Sequence, residues 1–138
     1  MAKAIREVMT SNPCTIDADK PVSDAAKMMR DEDVGLAPIV EGDRLVGTLT
    51  DRDIATRVVA EGRDPDSTPV KEVASTDIVT IDPEQDLDEA LRLMADHQVR
   101  RLPVVEEDGR VVGVVAQADV ARQADDRKTG EVVERISQ

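Results

Sequence analysis

The sequence offers few side chains that could carry out covalent or metal-dependent chemistry. It has one cysteine, Cys14, and one histidine, His97, and their spacing is not that of a catalytic pair or a structural metal site. It has no glycine-rich phosphate loop and no nucleophile–base pair. The many carboxylates follow from an acidic composition. We therefore expect a protein that is not an enzyme and that requires no cofactor.

Cys14 and His97 each have an ordinary structural interpretation. Cys14 lies in a predicted strand, where a buried thiol is expected, and no feature of the sequence indicates a lowered thiol pKa. His97 follows a predicted helix, where a histidine is usually a surface or capping residue. The alternative, a redox or metal sensor built on these two residues, is the less favoured interpretation.

The overall charge and composition exclude several classes of partner. With 30 acidic and 18 basic residues, the net charge of −12 disfavours direct binding to a nucleic acid polyanion. The sequence has no Phe, Tyr or Trp, so the core must be aliphatic and no aromatic ring can stack on a base. No apolar run is long enough to span a membrane. We expect a cytoplasmic protein.

The sequence repeats itself. Thr15-Ile16-Asp17, shifted by 65 positions, falls on Thr80-Ile81-Asp82. One extra residue enters the second copy near Asp108-Gly109, and from there to the end of the copy a shift of 66 gives the alignment. Other matched pairs are Ala25 with Ala90, Met29 with Met94, Val34 with Val99, Pro38 with Pro103, Gly47 with Gly113 and Asp53 with Asp119. Agreement across apolar, turn and charged positions indicates a duplicated unit.

Each copy has the predicted pattern β-α-β-β-α. A short extended piece (14–17 or 79–82) precedes a helix whose apolar residues recur at the helical period. These stripes are Val22, Ala25, Ala26 and Met29 in the first copy and Leu87, Ala90, Leu91 and Met94 in the second. Two strands joined by a glycine-containing turn come next, and a second helix closes the copy. The predicted strands are 37–40, 45–50, 102–105 and 111–115, and the closing helices are 51–60 and 117–124.

The repeat sets the predicted boundaries: a first domain over 4–61, a linker over 62–68, a second domain over 69–125, and a tail over 126–138 that could form a short helix. Thr68-Pro69 reads as an N-cap followed by a proline at the first helical position, opening a short helix through Val73. Residues 5–8 are its counterpart in the first copy. Asp86 is expected to cap the first helix of the second copy, with Glu89 completing a capping box.

The element order and two motifs per copy resemble the CBS domain, the module named after cystathionine β-synthase. The motifs are Val34-Gly35-Leu36-Ala37-Pro38-Ile39-Val40 with Gly47-Thr48-Leu49-Thr50-Asp51-Arg52-Asp53, and Val99-Arg100-Arg101-Leu102-Pro103-Val104-Val105 with Gly113-Val114-Val115-Ala116-Gln117-Ala118-Asp119. The resemblance implies an α/β (α+β) fold, a tandem pair of CBS domains packed with pseudo-two-fold symmetry. It also implies a homodimer forming a four-domain disc, and clefts that bind AMP, ADP, ATP or related adenosyl ligands.

The resemblance places a first nucleotide site at the second helix of the first copy. Asp53 would accept hydrogen bonds from the ribose hydroxyls, because a carboxylate can hold two adjacent hydroxyls. Thr50 would donate to a phosphate, and Arg52 would pair with a phosphate at the helix N-terminus. The adenine pocket of site one would come from the second copy, around Val79, Val99 and Arg100.

Site two would use the equivalent aspartate of the second copy, Asp119, with Arg100 and Arg101 at positions that bind phosphate in some family members. Its adenine pocket would lie around Cys14, Val34 and Gly35. Ala116 stands where the phosphate-binding hydroxyl should be. Neither site has the complete set of groups, so the resemblance implies two unequal clefts.

A structural interpretation of the same residues stays open. Asp53 and Asp119 could only complement a helix macrodipole, and Thr50 could only cap its helix. Arg100 and Arg101 could be surface or dimer-interface charges. The chain would then be a ligand-free structural or interaction protein that acts through CBS dimer faces.

Overall fold

A computed structural model describes residues 3–123 and divides them into two compact units. Unit one contains residues 3–11, 79–104 and 112–123, and unit two contains residues 12–78 and 105–111. A 3-10 turn over Ile5–Glu7 comes first. The other elements are β1 (Thr10–Ser11), β2 (Ile16–Asp17), α1 (Val22–Glu32), β3 (Leu36–Glu41), β4 (Arg44–Thr50), α2 (Asp51–Asp53, continuing as a π-helix over Ile54–Val59), α3 (Val70–Val73), α4 (Leu87–His97), β5 (Arg101–Val105), β6 (Val111–Ala116) and α5 (117–123).

Unit two is built on a three-stranded sheet of order β2-β3-β4, with β2 parallel and β4 antiparallel to β3. The α1 stripe faces the core as predicted: Val22, Ala25 and Met29 are buried, because residues three, four and seven apart share one helix face. The core beside them contains Ile39 and Leu49 from the sheet. The hairpin and helix predictions for the first copy are thus confirmed.

Unit one has a sheet of order β1-β6-β5, in which β1 is antiparallel to β6. Leu87, Ala90 and Met94 of α4 are buried, and the core beside them contains Leu102, Val104 and Val115. The predicted cap is confirmed: Asp86 Oδ1 accepts a hydrogen bond of 2.9 Å from the backbone N–H of Glu89. The Glu89 carboxylate pairs with Arg92 instead, so the predicted capping box is wrong in its second half.

Three further predictions about local structure are wrong. Cys14 is exposed and lies outside β2, because the ladder to β3 begins only at Ile16. In the second copy, the extended piece over 79–82 forms a single parallel bridge, Ile81 to Val104, rather than a strand. Thr68 is not an N-cap: Pro69 holds that position, and the buried Thr68 hydroxyl donates to the carbonyl of Asp64 at 2.7 Å. The predicted tail over 126–138 lies outside the described residues.

The segment that opens each copy packs in a unit with the other copy. We call residues 4–11 the first leading segment and residues 69–76 the second leading segment. The first belongs to unit one and the second to unit two. Backbone bridges fix both at equivalent places, Ala4 to Asp86 in unit one and Pro21 to Pro69 in unit two. The domain boundaries at 4–61 and 69–125 therefore stay a prediction about the repeat.

Equivalent ion pairs and backbone bonds hold both leading segments. In unit one, Arg6 Nε lies 2.8 Å from Glu84 Oε1; in unit two, Lys71 Nζ lies 2.7 Å from Asp19 Oδ1. All four side chains are more than half exposed, so these pairs contribute little stability by themselves. The backbone N–H groups of Ile5 and Val70 also donate to the carbonyls of Gln85 and Lys20, both at 2.8 Å. These bonds set the register of each leading segment.

Each leading segment comes close to a strand at a glycine. A Cβ atom at Gly47 would lie 3.1 Å from the carbonyl oxygen of Ser75, and one at Gly113 would overlap the side chain of Met9. In the same places, Ser75 and Thr48 exchange two backbone hydrogen bonds of 2.9 Å, and Thr10 pairs with Val114. The matched glycines of the repeat are therefore explained by packing.

Loss of the buried side chain of the first leading segment should destabilise the protein. Ile5 is 0% exposed, so Ile5→Ala should lower the free energy of unfolding by about 2–5 kcal/mol. Val59 is 71% exposed, and the control Val59→Ala should change it by less than about 0.5 kcal/mol. Urea unfolding followed by far-UV circular dichroism measures both. Equal effects of the two substitutions would show that the segment is not packed in unit one.

Candidate functional site

The start of α2 is a capping box formed by two of the predicted site residues. Thr50 is the N-cap, and its Oγ1 accepts a hydrogen bond of 3.1 Å from the backbone N–H of Asp53. Asp53 Oδ2 in turn accepts a bond of 2.9 Å from the backbone N–H of Thr50. This exchange satisfies two helix N–H groups that otherwise have no partner. It fixes the positions of both side chains.

Asp53 keeps acceptor capacity after this bond. Its side chain is 13% exposed, and its second oxygen, Oδ1, lies 3.7 Å from Nε of Arg57, one turn further along the helix. Arg57 Nη1 also donates a bond of 3.0 Å to the carbonyl of Val73, the last residue of α3. A carboxylate offers about four lone-pair directions, so further donors can still bind Asp53.

A short loop before β3 meets the same helix start. The backbone N–H of Asp51 donates to the carbonyl of Gly35 at 3.1 Å, and Gly35 is buried. The neighbouring Val34 side chain is 42% exposed, which is unusual for a valine in this chain. Predicted residues of both sites, Gly35 and Val34 from one and Thr50 and Asp53 from the other, thus lie in one unit.

Cys14 is an exposed thiol beside the Glu32 carboxylate. Desolvation, and then the negative charge and hydrogen bond of Glu32, raise the pKa of this exposed thiol above its ordinary value. A thiol with a raised pKa is a poor nucleophile and a poor metal ligand. The chemistry of Cys14 in this position therefore does not favour redox sensing.

The second copy has the same backbone arrangement with different side chains. The backbone N–H of Gln117 donates to the carbonyl of Arg100 at 2.6 Å, matching the bond between Asp51 and Gly35. Ala116 stands at the cap position and has no hydroxyl. Asp119 Oδ1 accepts a bond of 3.0 Å from Nη2 of Arg122, and its side chain is 41% exposed. Asp119 is therefore more open to solvent than Asp53.

Three predicted phosphate partners have unoccupied guanidinium groups. Within residues 3–123, the side chains of Arg52, Arg100 and Arg101 form no ion pair or hydrogen bond. Arg52 and Arg100 are exposed, and Arg101 is half-buried at the start of β5. An arginine without a partner in an acidic chain is available to an anionic ligand.

The predicted residues of each site divide between the two units. For site one, Thr50, Arg52 and Asp53 belong to unit two, whereas Val79, Val99 and Arg100 belong to unit one. For site two, Cys14, Val34 and Gly35 belong to unit two, whereas Arg100, Arg101 and Asp119 belong to unit one. Val79 and Val99 are partly buried against the core of unit one. The joint use of the two halves of each site stays a prediction.

Sequence reasoning missed Arg57 and Arg122, the partners of the two aspartates. Their spacings of four and three residues on a helix are a recognisable signal for an ion pair. The second contact of Arg57, to the carbonyl of Val73, has no sequence signal. Arg57 also lines a polar depression of about 420 Å³ in unit two, together with Thr56, Glu61, Arg63, Glu72 and Val73.

Metal and membrane chemistry find no support in the part of the chain that the structure describes. Over residues 3–123, no group of three or more His, Cys, Asp and Glu side chains is arranged to hold a metal ion. In the same residues, no helix combines the length and apolar character needed to cross a bilayer.

Comparison with known proteins gives consistent results. A model of the CBS domain matches residues 5–60 and 70–126. The CBS domain-containing protein YhcV of Bacillus subtilis is 42% identical over 135 residues, which cover 97% of this chain and 95% of that protein. Hypoxic response protein 1 of Mycobacterium tuberculosis is 37% identical over 132 residues, covering 95% of this chain and 92% of that protein.

Solved structures agree with this match. The crystal structure of hypoxic response protein I with two coordinated zinc ions has a TM-score of 0.80 at 38% identity, over 87% of this chain and 98% of that chain. The CBS domain pair of protein MJ0100, in complex with 5′-methylthioadenosine and S-adenosyl-L-methionine, has a TM-score of 0.83 over 92% of this chain and 99% of that chain. At its 23% identity, the second likeness concerns the fold. The chain belongs to the CBS-domain family and carries two CBS domains in tandem.

Proposed function

We propose that this CBS pair is a non-catalytic regulatory module that binds an adenosyl ligand, AMP, ADP or ATP, at the starts of α2 and α5. The observation that carries the proposal is the placement of Asp53. The capping box holds its carboxylate in one position while Oδ1 keeps acceptor capacity. Asp119 has the equivalent place in the second copy. The same fold holds two adenosyl compounds in the MJ0100 pair.

The chemistry of a nucleotide fits the groups at these helix starts. A ribose offers two adjacent hydroxyl donors, which suit a carboxylate acceptor. A phosphate suits the positive end of a helix and a guanidinium such as that of Arg52, which has no partner among residues 3–123. The Thr50 hydroxyl accepts one bond in the capping box and still has its own proton to donate.

The two starts are expected to bind ligands differently. The first has a hydroxyl at Thr50 and one arginine, Arg52, while the second has Ala116 and is preceded by Arg100 and Arg101. Hydrogen bonding from a fixed hydroxyl is directional, whereas two exposed arginines attract any anion. We therefore expect the first start to discriminate between nucleotides more sharply than the second.

The alternative is a ligand-free structural or interaction protein. It is favoured by the fact that each aspartate already has a partner, Thr50 and Arg57 for Asp53 and Arg122 for Asp119. A zinc-dependent role has less support, because residues 3–123 bring together no metal-binding group. The three arginines that have no partner within the described residues favour the adenosyl ligand over both.

Removal of one carboxylate charge should weaken nucleotide binding. Isothermal titration calorimetry with AMP, ADP and ATP measures affinity without an intrinsic fluorophore, which this chain lacks. Asp53→Asn should raise the Kd for nucleotide at the start of α2, and Asp119→Asn should raise it at the start of α5. Each increase should be about 10- to 100-fold, the usual contribution of a hydrogen bond to a charged group. Asp66→Asn, in the exposed linker, removes the same charge and should leave both affinities unchanged.

Two outcomes would contradict the proposal at different levels. Absence of heat with all three nucleotides at millimolar concentration would support the structural alternative. Binding that neither Asp53→Asn nor Asp119→Asn weakens would show that the ligand binds elsewhere in the chain.

The cap hydroxyl should distinguish phosphorylated ligands from adenosine. Thr50→Ala should destabilise the protein by about 1 kcal/mol through loss of the cap, and should weaken ATP binding at the first start. Ala116→Thr should stabilise the protein and strengthen ATP binding at the second start. Adenosine is the control ligand. It has no phosphate, so neither substitution should change its affinity. Equal changes in the affinities for adenosine and ATP would show that this position does not bind the phosphate.

The predicted homodimer can be tested separately from ligand binding. Sedimentation equilibrium should give twice the chain mass of 15.0 kDa, with and without AMP. A mass of one chain at micromolar concentration would exclude the four-domain assembly that the family resemblance implies.

A further inference from the structure

Arg57 joins two parts of unit two that are distant in sequence. Its Nε faces Asp53 Oδ1 at 3.7 Å, and its Nη1 donates to the carbonyl of Val73 at 3.0 Å. Asp53 belongs to the candidate nucleotide site, and Val73 ends α3 within the second leading segment. A planar guanidinium can serve both acceptors at once because its donors point in fixed directions.

The carbonyl that Arg57 reaches has few other ways to be satisfied. Val73 is the last residue of a four-residue helix, and the last carbonyls of any helix lack a partner within it. Val73 itself is buried. Two residues further on, Ser75 exchanges backbone hydrogen bonds with Thr48 of β4, which leads directly into Thr50. The strand β4 and the side chain of Arg57 therefore each connect the second leading segment to the capping box.

Within residues 3–123, the second copy does not have this connection. The residue equivalent to Arg57 is Gln123, whose Oε1 accepts a bond of 3.1 Å from Nζ of Lys3. Asp119 pairs with Arg122, which occupies the place of Thr56. The link from aspartate to leading segment is thus particular to unit two, and a general requirement of the fold does not explain it.

We infer that Arg57 is a positioning residue that couples the charge state and occupancy of Asp53 to the anchoring of the second leading segment. A donor that binds Asp53 Oδ1 shares this oxygen with Arg57 and weakens the attraction between the carboxylate and the guanidinium. The hydrogen bond from Arg57 to the Val73 carbonyl then changes in strength, and the second leading segment around Ser75 becomes more or less firmly anchored. The coupling is a property of the protein alone, and its regulatory meaning rests on the proposed function.

Amide hydrogen exchange measured by NMR tests this coupling in the ligand-free protein. The readout is the exchange rate of the Ser75 amide, which is bonded to Thr48, relative to that of Leu49 in the core of β4. Arg57→Gln, which copies the second domain, should speed Ser75 exchange about three- to tenfold relative to Leu49. Asp53→Asn should speed it about two- to fivefold, and should add nothing in the Arg57→Gln background.

A matched control separates coupling from simple loosening of the segment. Arg63 forms an ion pair with Glu72 of the same leading segment, and neither contacts Asp53. Arg63→Gln should also speed Ser75 exchange, but the effect of Asp53→Asn should be undiminished in that background. Arg57→Lys keeps the charge without the forked donors, and should resemble Arg57→Gln.

The outcomes are decisive and distinguish this inference from the proposed function. Additive effects of Asp53→Asn and Arg57→Gln, or equal changes at Ser75 and Leu49, would overturn the coupling. Addition of AMP should shift Ser75 exchange in the unsubstituted protein and not in Arg57→Gln, which would support both proposals. If calorimetry detects no AMP binding while the ligand-free coupling is present, the inference stands and the proposed function fails. If AMP binds and shifts Ser75 exchange equally in both proteins, Arg57 is not the link.

Discussion

Burial of Ile5 and Val70 is the constraint on which both units depend. Each of these side chains is 0% exposed and lies in a core with the first helix of the other copy, α4 for Ile5 and α1 for Val70. The chain has no aromatic residue, so no large ring can fill the space that either would leave. Dense packing of small aliphatic side chains therefore requires both leading segments to be in place. The glycines at positions 47 and 113 serve this packing by letting the segments approach the strands.

The same scaffold presents two different local environments at its helix starts. The backbone bonds from Asp51 to Gly35 and from Gln117 to Arg100 are equivalent, so the aspartates three residues after each cap position have similar backbone surroundings. The Asp53 carboxylate accepts a hydrogen bond from the backbone N–H of Thr50, whereas Asp119 accepts one from Arg122. Equivalent aspartates thus differ in their partners and in exposure, at 13% for the Asp53 side chain and 41% for that of Asp119. The repeat conserves positions and varies the chemistry at them.

Much of the fold could be predicted from the sequence, because helix period and strand pattern depend on neighbouring residues. The buried faces of α1 and α4 and both hairpins follow from such local signals. The prediction for Thr68 is wrong because two local bonds compete for its hydroxyl, and the one to Asp64 is formed. The predicted burial of Cys14 is wrong because the strand pattern of the sequence begins at Cys14, whereas pairing with β3 begins only at Ile16. No local sequence pattern predicts that a leading segment packs with the other copy. The alignment of the repeat would be the same whether the segment packed with its own copy or with the other one. For the same reason, the candidate site could be named by its aspartates but not by Arg57.

The packing of each leading segment with the other copy has a consequence for the origin of the chain. A protein with a single copy could bury its leading segment only by giving it to an identical neighbour and receiving the neighbour's in return. Such reciprocal exchange is a two-fold homodimer. Gene duplication and fusion would turn that dimer into one polypeptide in which each leading segment still packs with the other copy. Fusion also ends the obligation of the two halves to be identical, and the differences between Thr50 and Ala116 and between Arg57 and Gln123 are ones that a symmetric ancestor could not have held.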